Sequence, residues 1–357
     1  MSSDTQTTRL QQVVGHWLPR MMVAGLTHGD IVRLIEETGD WPNWCATWSA
    51  EGARHVAMGE EAEAAARLVT AGEAYQRAAL FYHFGQFMFF DDLTQKWAAV
   101  DRKVAAYARA APLLLPPAKA VAVVFEGGVL RGYLRQPAAG SGALVVLVPG
   151  SDSTKEEFAS MEAHFLKRGL ATFSFDGPGQ GEGRKDHHLR ADWGPVLAAV
   201  LAALEGAGAI GGRVGVMGMA FGGHLALQAA AAVPQIAAVA SMNGFFDLGS
   251  FWDDLPEVYR ANMGFALGGE TLDETAERAR AFSLRGVTLP DCPMLVVHGG
   301  RDRIFPVADA RMVAEMAGPR AEWVEYPDGN HVCNNIAYKY RPLVADWMAE
   351  KLAGGSA

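Results

Sequence analysis

At 357 residues, half of them apolar and a fifth charged, the chain is long enough for about two domains or for one large elaborated domain. Its formal charge of −9, from 31 Lys and Arg against 40 Asp and Glu, leaves no basic field to gather nucleic acid or an anionic membrane surface. The longest apolar run, Val196–Leu204, falls well short of the ~20 residues that a membrane-spanning helix needs.

The N-terminal MSSDTQTTRLQQ is polar and lacks the basic-then-apolar order of an export signal, so the expected location is the cytoplasm. Three cysteines, Cys45, Cys292 and Cys333, are widely spaced and show no CxxC or Cys/His ligand spacing, which argues against disulfides and structural zinc.

In chain order, Asp30–Glu37 reads as a helix with Asp30 as its N-cap. Arg54–Val69 and Glu73–Phe90 carry apolar residues at helical spacing and read as a helical hairpin parted by Gly72. Leu93–Ala108 follows as a further helix. At Pro112–Lys119 the helical pattern stops, and a domain boundary is expected there: a helical N-terminal domain over 1–118 and an α/β domain over 119–357.

Eight strands are expected downstream: Val121–Phe125, Leu130–Arg135, Leu144–Val148, Ala171–Phe175, Val214–Met217, Ala237–Met242, Met294–His298 and Ala321–Tyr326. The first two are spaced as an antiparallel hairpin across Glu126–Val129, and from Leu144 onward the gaps suit crossover helices. That rhythm predicts a mainly parallel sheet covered on both faces. Between Asn243 and Pro290 it pauses for too long to be an ordinary loop, and a helical cap insertion over the C-terminal sheet edge is expected.

The chemistry concentrates in Arg213–His224, RVGVMGMAFGGH, where a strand runs into Gly218-Met219-Ala220-Phe221-Gly222 and an Ala-rich helix. In G-x-S-x-G the two glycines allow a sharp strand-to-helix turn that exposes the central side chain, and the next N–H stabilises an oxyanion. Ala220 occupies the nucleophile position and cannot attack anything. Three accounts compete: an engineered Ser-to-Ala change, a natural non-catalytic relative, or a glycine-rich turn of another α/β fold.

Two further positions bear on the choice. Asp302, in His298-Gly299-Gly300-Arg301-Asp302, lies just past a strand end, and His331, in Asp328-Gly329-Asn330-His331, lies in the loop after the last strand. Nucleophile position, Asp, His is the chain order of an α/β-hydrolase triad, and keeping both partners favours an intact site disabled at one side chain. Ser151 or Asp152, in Pro149-Gly150-Ser151-Asp152, is placed to give a main-chain donor to the oxyanion hole alongside Phe221. Asp176–Gly183, DGPGQGEG, matches neither GK[ST] nor GxGxxG and reads as a tight turn bordering the pocket.

With PGSDSTKEEF at Pro149–Phe158, DGPGQGEG, GMAFGGH, HGGRD, DGNH and YQRAALFYHFGQF at Tyr75–Phe87, the chain resembles the α/β-hydrolase group of 2,6-dihydroxypseudooxynicotine hydrolase and the fungal heptaketide-shortening hydrolases. In that group the elbow carries serine, so this chain departs at Ala220. The resemblance implies an α/β-hydrolase fold and hydrolysis of a C–C bond beside a carbonyl, in a 1,3-diketone-like or acyl-aryl small molecule. It also implies no metal or organic cofactor, and a homodimer. An acid must protonate the leaving carbanion, and Glu156, Asp247, Asp253 and Asp254 are the candidates. Phe81, Tyr82, Phe245, Phe246 and Trp252, with Glu156, are the expected substrate-binding residues; the aromatic set around Phe81–Phe89 is chiefly core. A carboxylesterase or lactonase would share every catalytic residue, and a non-catalytic binding protein is the rival from another class.

Overall fold

The computed structural model describes Leu10 and residues 17–353, so the polar N-terminal stretch lies outside the described residues save Leu10. Two compact units emerge: one from the residues before Ala120 together with Glu156–Ser160, the other from Ala120–Lys155 and the residues from Met161 on.

In the helical unit, residues 17–24 are helical and α1 (His28–Thr38), α2 (Trp44–Ala64), α3 (Leu68–Gln86) and α4 (Leu93–Ala110) follow. The N-cap of α1 is Thr27, not Asp30: the Thr27 Oγ1 accepts from the Asp30 N–H, and Asp30 sits in the first turn, where its charge suits the helix dipole. Helix α2 begins ten residues before the expected Arg54, because Trp44 and Trp48, one helical turn apart, stack at 4.5 Å. The hairpin breaks at Ala65–Arg67, with Ala66 at φ 59°, and Gly72 lies inside α3. A Cβ at Gly72 would sit 2.8 Å from that of Leu113, so the glycine serves close packing there.

The second unit holds an eight-stranded sheet: β1 (Ala118–Phe125), β2 (Gly128–Arg135), β3 (Leu144–Val148), β4 (Ala171–Asp176), β5 (Val214–Met219), β6 (Ile236–Met242), β7 (Met294–Gly299) and β8 (Ala321–Tyr326). The spatial order is β1-β2-β4-β3-β5-β6-β7-β8. Strand β2 runs antiparallel to β4, and every pairing from β4 to β8 is parallel. Glu126 and Gly127, at φ 45° and 80°, make the two-residue turn between β1 and β2. Every residue of β3 and β4 is buried, as strands covered on both faces require.

Helices α5 (Ala159–Leu166), α6 (Gly194–Gly206), α7 (Phe221–Ala232), α10 (Val307–Ala317) and α11 (Ala337–Leu352) connect or follow the strands. Between β6 and β7 lie a 3-10 segment, Leu248–Asp254, and helices α8 (Glu257–Leu267) and α9 (Leu272–Ala279). No helix among the described residues is long and apolar enough to cross a membrane. Cys45, Cys292 and Cys333 are free and buried.

His224 on α7 is wholly buried, stacks on Phe245 at 4.4 Å and bonds its carbonyl through Nδ1 at 3.1 Å. Burial pushes its pKa down to about 4 against the pull of the Phe245 carbonyl and Asp247. The unfolded chain therefore takes up a proton that the folded chain refuses as pH falls below the ordinary ~6.5. Stability is expected to be full above that point and to drop by up to roughly 3 kcal/mol between pH 6.5 and 4 from this residue. Urea midpoints across that range should fall less steeply in His224→Gln; an unchanged slope would show that His224 is not the group responsible.

Candidate active site

The elbow joins β5 to α7. A Cβ at Gly218 would lie 1.9 Å from the Gly222 carbonyl oxygen, and one at Gly222 would lie 2.2 Å from that of Val148, so only glycine allows the chain to fold back this tightly. Between them Ala220 adopts φ 52° and ψ −121°, donates its N–H to Met242 O at 2.8 Å, and accepts from Gly223 N at 2.8 Å. A side chain at positive φ costs of order 1–3 kcal/mol. Alanine therefore keeps a strained backbone that its own side chain does not need. Ala220→Gly is expected to stabilise the fold by about 1 kcal/mol, part of the relieved strain being offset by the freedom glycine adds to the unfolded chain. A urea midpoint that stays put or falls would place the strain elsewhere.

Asp302 lies three residues past β7, and both its carboxylate oxygens are engaged. Oδ1 accepts from the N–H groups of Ile304 at 2.8 Å and Phe305 at 3.1 Å, while Oδ2 accepts from Asn243 Nδ2 at 2.7 Å and meets His331 Nδ1 at 2.8 Å. Burial alone would raise its pKa; the His331 charge and hydrogen bond, with His298 and Asn243, hold it at about 2. The carboxylate is thus ionised at neutral pH and fixes the His331 tautomer with Nδ1–H toward Asp302, leaving the lone pair on Nε2. The rings of His331 and Phe305 pack edge to face with centroids 5.3 Å apart. The following residues, Val332 and Cys333, both have positive φ, so the loop presenting His331 is tightly wound.

One cavity brings Ala220 and Phe221 together with Ser151, Asp152 and His331. Its apolar wall includes Leu255, Tyr259 and Met263 from the inserted segment and Ile304 and Phe305 from the loop after Asp302. The Ser151 hydroxyl accepts from Asn262 Nδ2 at 3.1 Å, so it is oriented by α8. The thiol of Cys333 contacts Asn243 Oδ1 at 3.8 Å, but burial pushes its pKa up to about 12, which rules it out as a thiolate replacement for the missing nucleophile.

Several expected residues lie elsewhere. Phe245 stacks on His224 and meets the Phe221 ring edge-on at 5.0 Å, so it supports the elbow from inside the core instead of lining the cavity. Phe246 and Trp252 are likewise buried in that core and absent from the cavity wall. Phe81, in the helical unit, stacks on His55 at 4.8 Å, and Tyr82 lines a separate groove there with Cys45 and Arg102. Glu156 is fully buried and paired with Lys103 at 3.0 Å, so it does not stand as a spare acid. Asp247 caps Gly249 and pairs with Arg285 at 2.5 Å, while Asp253 and Asp254 are exposed. Asn243, Tyr259, Asn262 and Met263 were not marked by the sequence; a polar residue just past β6 was the only available hint of Asn243.

The arrangement sets an ionised Asp302 against the His331 imidazole beside the elbow, but the elbow itself offers no nucleophilic side chain. The family model described as "Esterase FrsA-like" matches residues 38–353. The 2,6-dihydropseudooxynicotine hydrolase of Paenarthrobacter nicotinovorans is 33% identical over 347 residues, 94% of this chain and 92% of that one. Hydrolase LUC6 of a Fusarium species is 35% identical over 230 residues, 59% of this chain and 54% of its own. A crystal structure of 2,6-dihydroxy-pseudo-oxynicotine hydrolase superposes with a TM-score of 0.87 at 32% identity, covering 95% of this chain and 96% of the other. The chain belongs to the FrsA-like esterase family, with an α/β-hydrolase fold.

Proposed function

We propose that this site is built to hydrolyse a C–C bond next to a carbonyl, in a 1,3-diketone-like or acyl-aryl substrate, and that with alanine at position 220 the chain binds such a molecule without cleaving it. The observation that carries the reading is the strained elbow: Ala220 keeps nucleophile geometry and faces the same cavity as His331, which Asp302 holds at 2.8 Å. The near full-length likeness to a 2,6-dihydropseudooxynicotine hydrolase supports the substrate class.

With serine at that position, its hydroxyl oxygen would attack the carbonyl carbon while His331 Nε2 takes the proton. The N–H of Phe221 and that of Ser151 or Asp152 would hold the oxyanion. Collapse breaks the C–C bond; the electron pair passes onto the leaving carbon, is delocalised into the substrate's ring or second carbonyl, and takes the proton back from the imidazolium. Water activated by His331 then releases the acid. Because Glu156, Asp247, Asp253 and Asp254 are paired or exposed, His331 itself is the acid this reading assigns to the leaving group. Carboxylic ester hydrolysis is the second reading, favoured by the family description and by the identical machinery.

The test is calorimetry of the chain as it stands with an aryl 1,3-diketone, followed by recovery and mass analysis of the ligand. Saturable binding with the diketone recovered intact is expected. Failure to bind any aryl diketone or acyl-arene, or release of a carboxylic acid, would overturn it.

A further inference from the structure

The DGPGQGEGR segment that leaves β4 does more than turn the chain. Tight contacts define its path: a Cβ at Gly179 would lie 2.0 Å from Leu189 N, and one at Gly181 would lie 2.0 Å from Asp176 Oδ2. So wound, its side chains reach back to the loop after β3. Gln180 Nε2 donates to Pro149 O at 2.5 Å and Gly150 O at 3.2 Å, and its own Oε1 is fixed by Gly177 N at 3.1 Å. Arg184 donates through Nη2 to Ser151 O and through Nε to Gly179 O at 2.7 Å. Asp176 accepts from Lys155 N at 2.8 Å and pairs with its Nζ at 2.8 Å; Glu182 meets the same Nζ at 2.6 Å.

Three successive carbonyls, those of Pro149, Gly150 and Ser151, are therefore all drawn to side chains of one turn, and the end of the loop is anchored by the same turn. A trans peptide points its N–H opposite to its C=O. Holding these carbonyls aims the N–H groups of Gly150, Ser151 and Asp152 away from the turn. The loop already lies against the elbow, since a Cβ at Gly150 would sit 3.5 Å from that of Ala220, and Ser151 and Asp152 line the cavity.

We propose that Gln180 and Arg184 are positioning residues for the oxyanion hole: the turn clamps the loop's carbonyls so that its N–H groups face the substrate oxygen, and the Arg184 cation on Ser151 O polarises the Ser151–Asp152 peptide toward stronger donation. Charge-assisted hydrogen bonds of this kind are roughly twice as strong as neutral ones, and polarisation passes along bonded chains. Arg184 is held in place by Gly179 O and by Phe265, whose ring lies 5.3 Å from the guanidinium carbon. Burial lowers its pKa to about 10 against the attraction of Asp152 and Asp176, so it remains a cation at neutral pH.

The inference rests on the hydrolase reading for its kinetic arm only. In an Ala220→Ser background, Arg184→Met and Gln180→Met should lower kcat by roughly 10- to 100-fold, within the loss seen when an oxyanion donor is removed, with KM within about threefold. Arg184→Lys should restore part of the loss. In the chain carrying Ala220, hydrogen exchange of residues 150–155 should rise at least ~10-fold in both Met variants, with β5 and β6 unchanged. Unchanged exchange in that loop, or a loss confined to KM, would overturn the clamp. If the Ala220→Ser protein is inactive on every diketone and ester, the hydrolase reading fails while the exchange arm still decides the clamp. Should Arg184→Met not fold, Gln180→Met and Arg184→Lys carry the same comparison.

Discussion

Ala220→Ser is expected to raise kcat toward an aryl 1,3-diketone by about 10⁶-fold over the present chain, while the substrate Kd stays within a few-fold. Removing a triad nucleophile costs about that factor, roughly 8 kcal/mol of transition-state stabilisation, yet leaves donors and pocket in place. The structure favours so large a gain because little has to be rebuilt. The elbow already has φ 52°, Asp302 is ionised and saturated with donors, and His331 is locked to it at 2.8 Å. A hydroxyl added to the Ala220 Cβ enters a cavity that His331 also lines. In the serine form, His331→Ala should return kcat to near the level of the present chain, because the three groups act as a unit and their losses do not add. Stopped-flow and steady-state assays of the three proteins check this. A serine form within tenfold of the alanine form would mean that the imidazole and the elbow are not in productive register.

Lys103→Met is expected to destabilise the protein by about 3–5 kcal/mol, whereas Lys103→Met with Glu156→Leu should recover most of that loss. Lys103 on α4 and Glu156 have fully buried side chains 3.0 Å apart. Each charge has given up its water, so their attraction roughly repays desolvation and the pair adds little net stability; removal of Lys103 takes this buried countercharge away from Glu156. The neighbouring Glu157 is held similarly, by Arg20 at 2.6 Å and His83 at 3.3 Å; burial pushes its pKa up, but these two partners bring it well below the ordinary range. Urea denaturation of the two singles and the double closes the cycle. A Lys103→Met protein within 1 kcal/mol of the parent would show that the fold does not depend on this pair.

The eight strands were legible because β-branched and apolar runs bounded by Gly, Pro and Asp leave few alternatives, and the observed strands differ only at their ends, such as Ala118 for Val121 and Ile236 for Ala237. Asp302 and His331 were legible for a related reason: each follows a recognisable strand within a short polar motif, so topology delivers them to the elbow. The start of α2 was hidden because Trp41–Trp48 shows no apolar-polar alternation; its helix is held by stacked indoles. Gly72 misled for the opposite reason, since a glycine inside a helix looks like a break until Leu113 is seen packed against it. The cavity wall was the least legible part. Phe245, Phe246 and Trp252 have the bulk expected of a pocket roof, but the core takes them, and the cavity receives Leu255, Tyr259 and Met263. Which face of an inserted helix turns inward is decided by packing against the sheet, and a single sequence carries little of that information.

Bond selectivity in the serine form is the most direct test of C–C hydrolysis. The Ala220→Ser protein should be given an aryl 1,3-diketone and an aryl ester of matched size, with a chelator present, and every product quantified. One equivalent of carboxylic acid and one of ketone from each diketone consumed, at a rate unaffected by the chelator, is the expected result. Cleavage of the ester with the diketone recovered intact would contradict it, and would leave an esterase whose elbow happens to carry alanine.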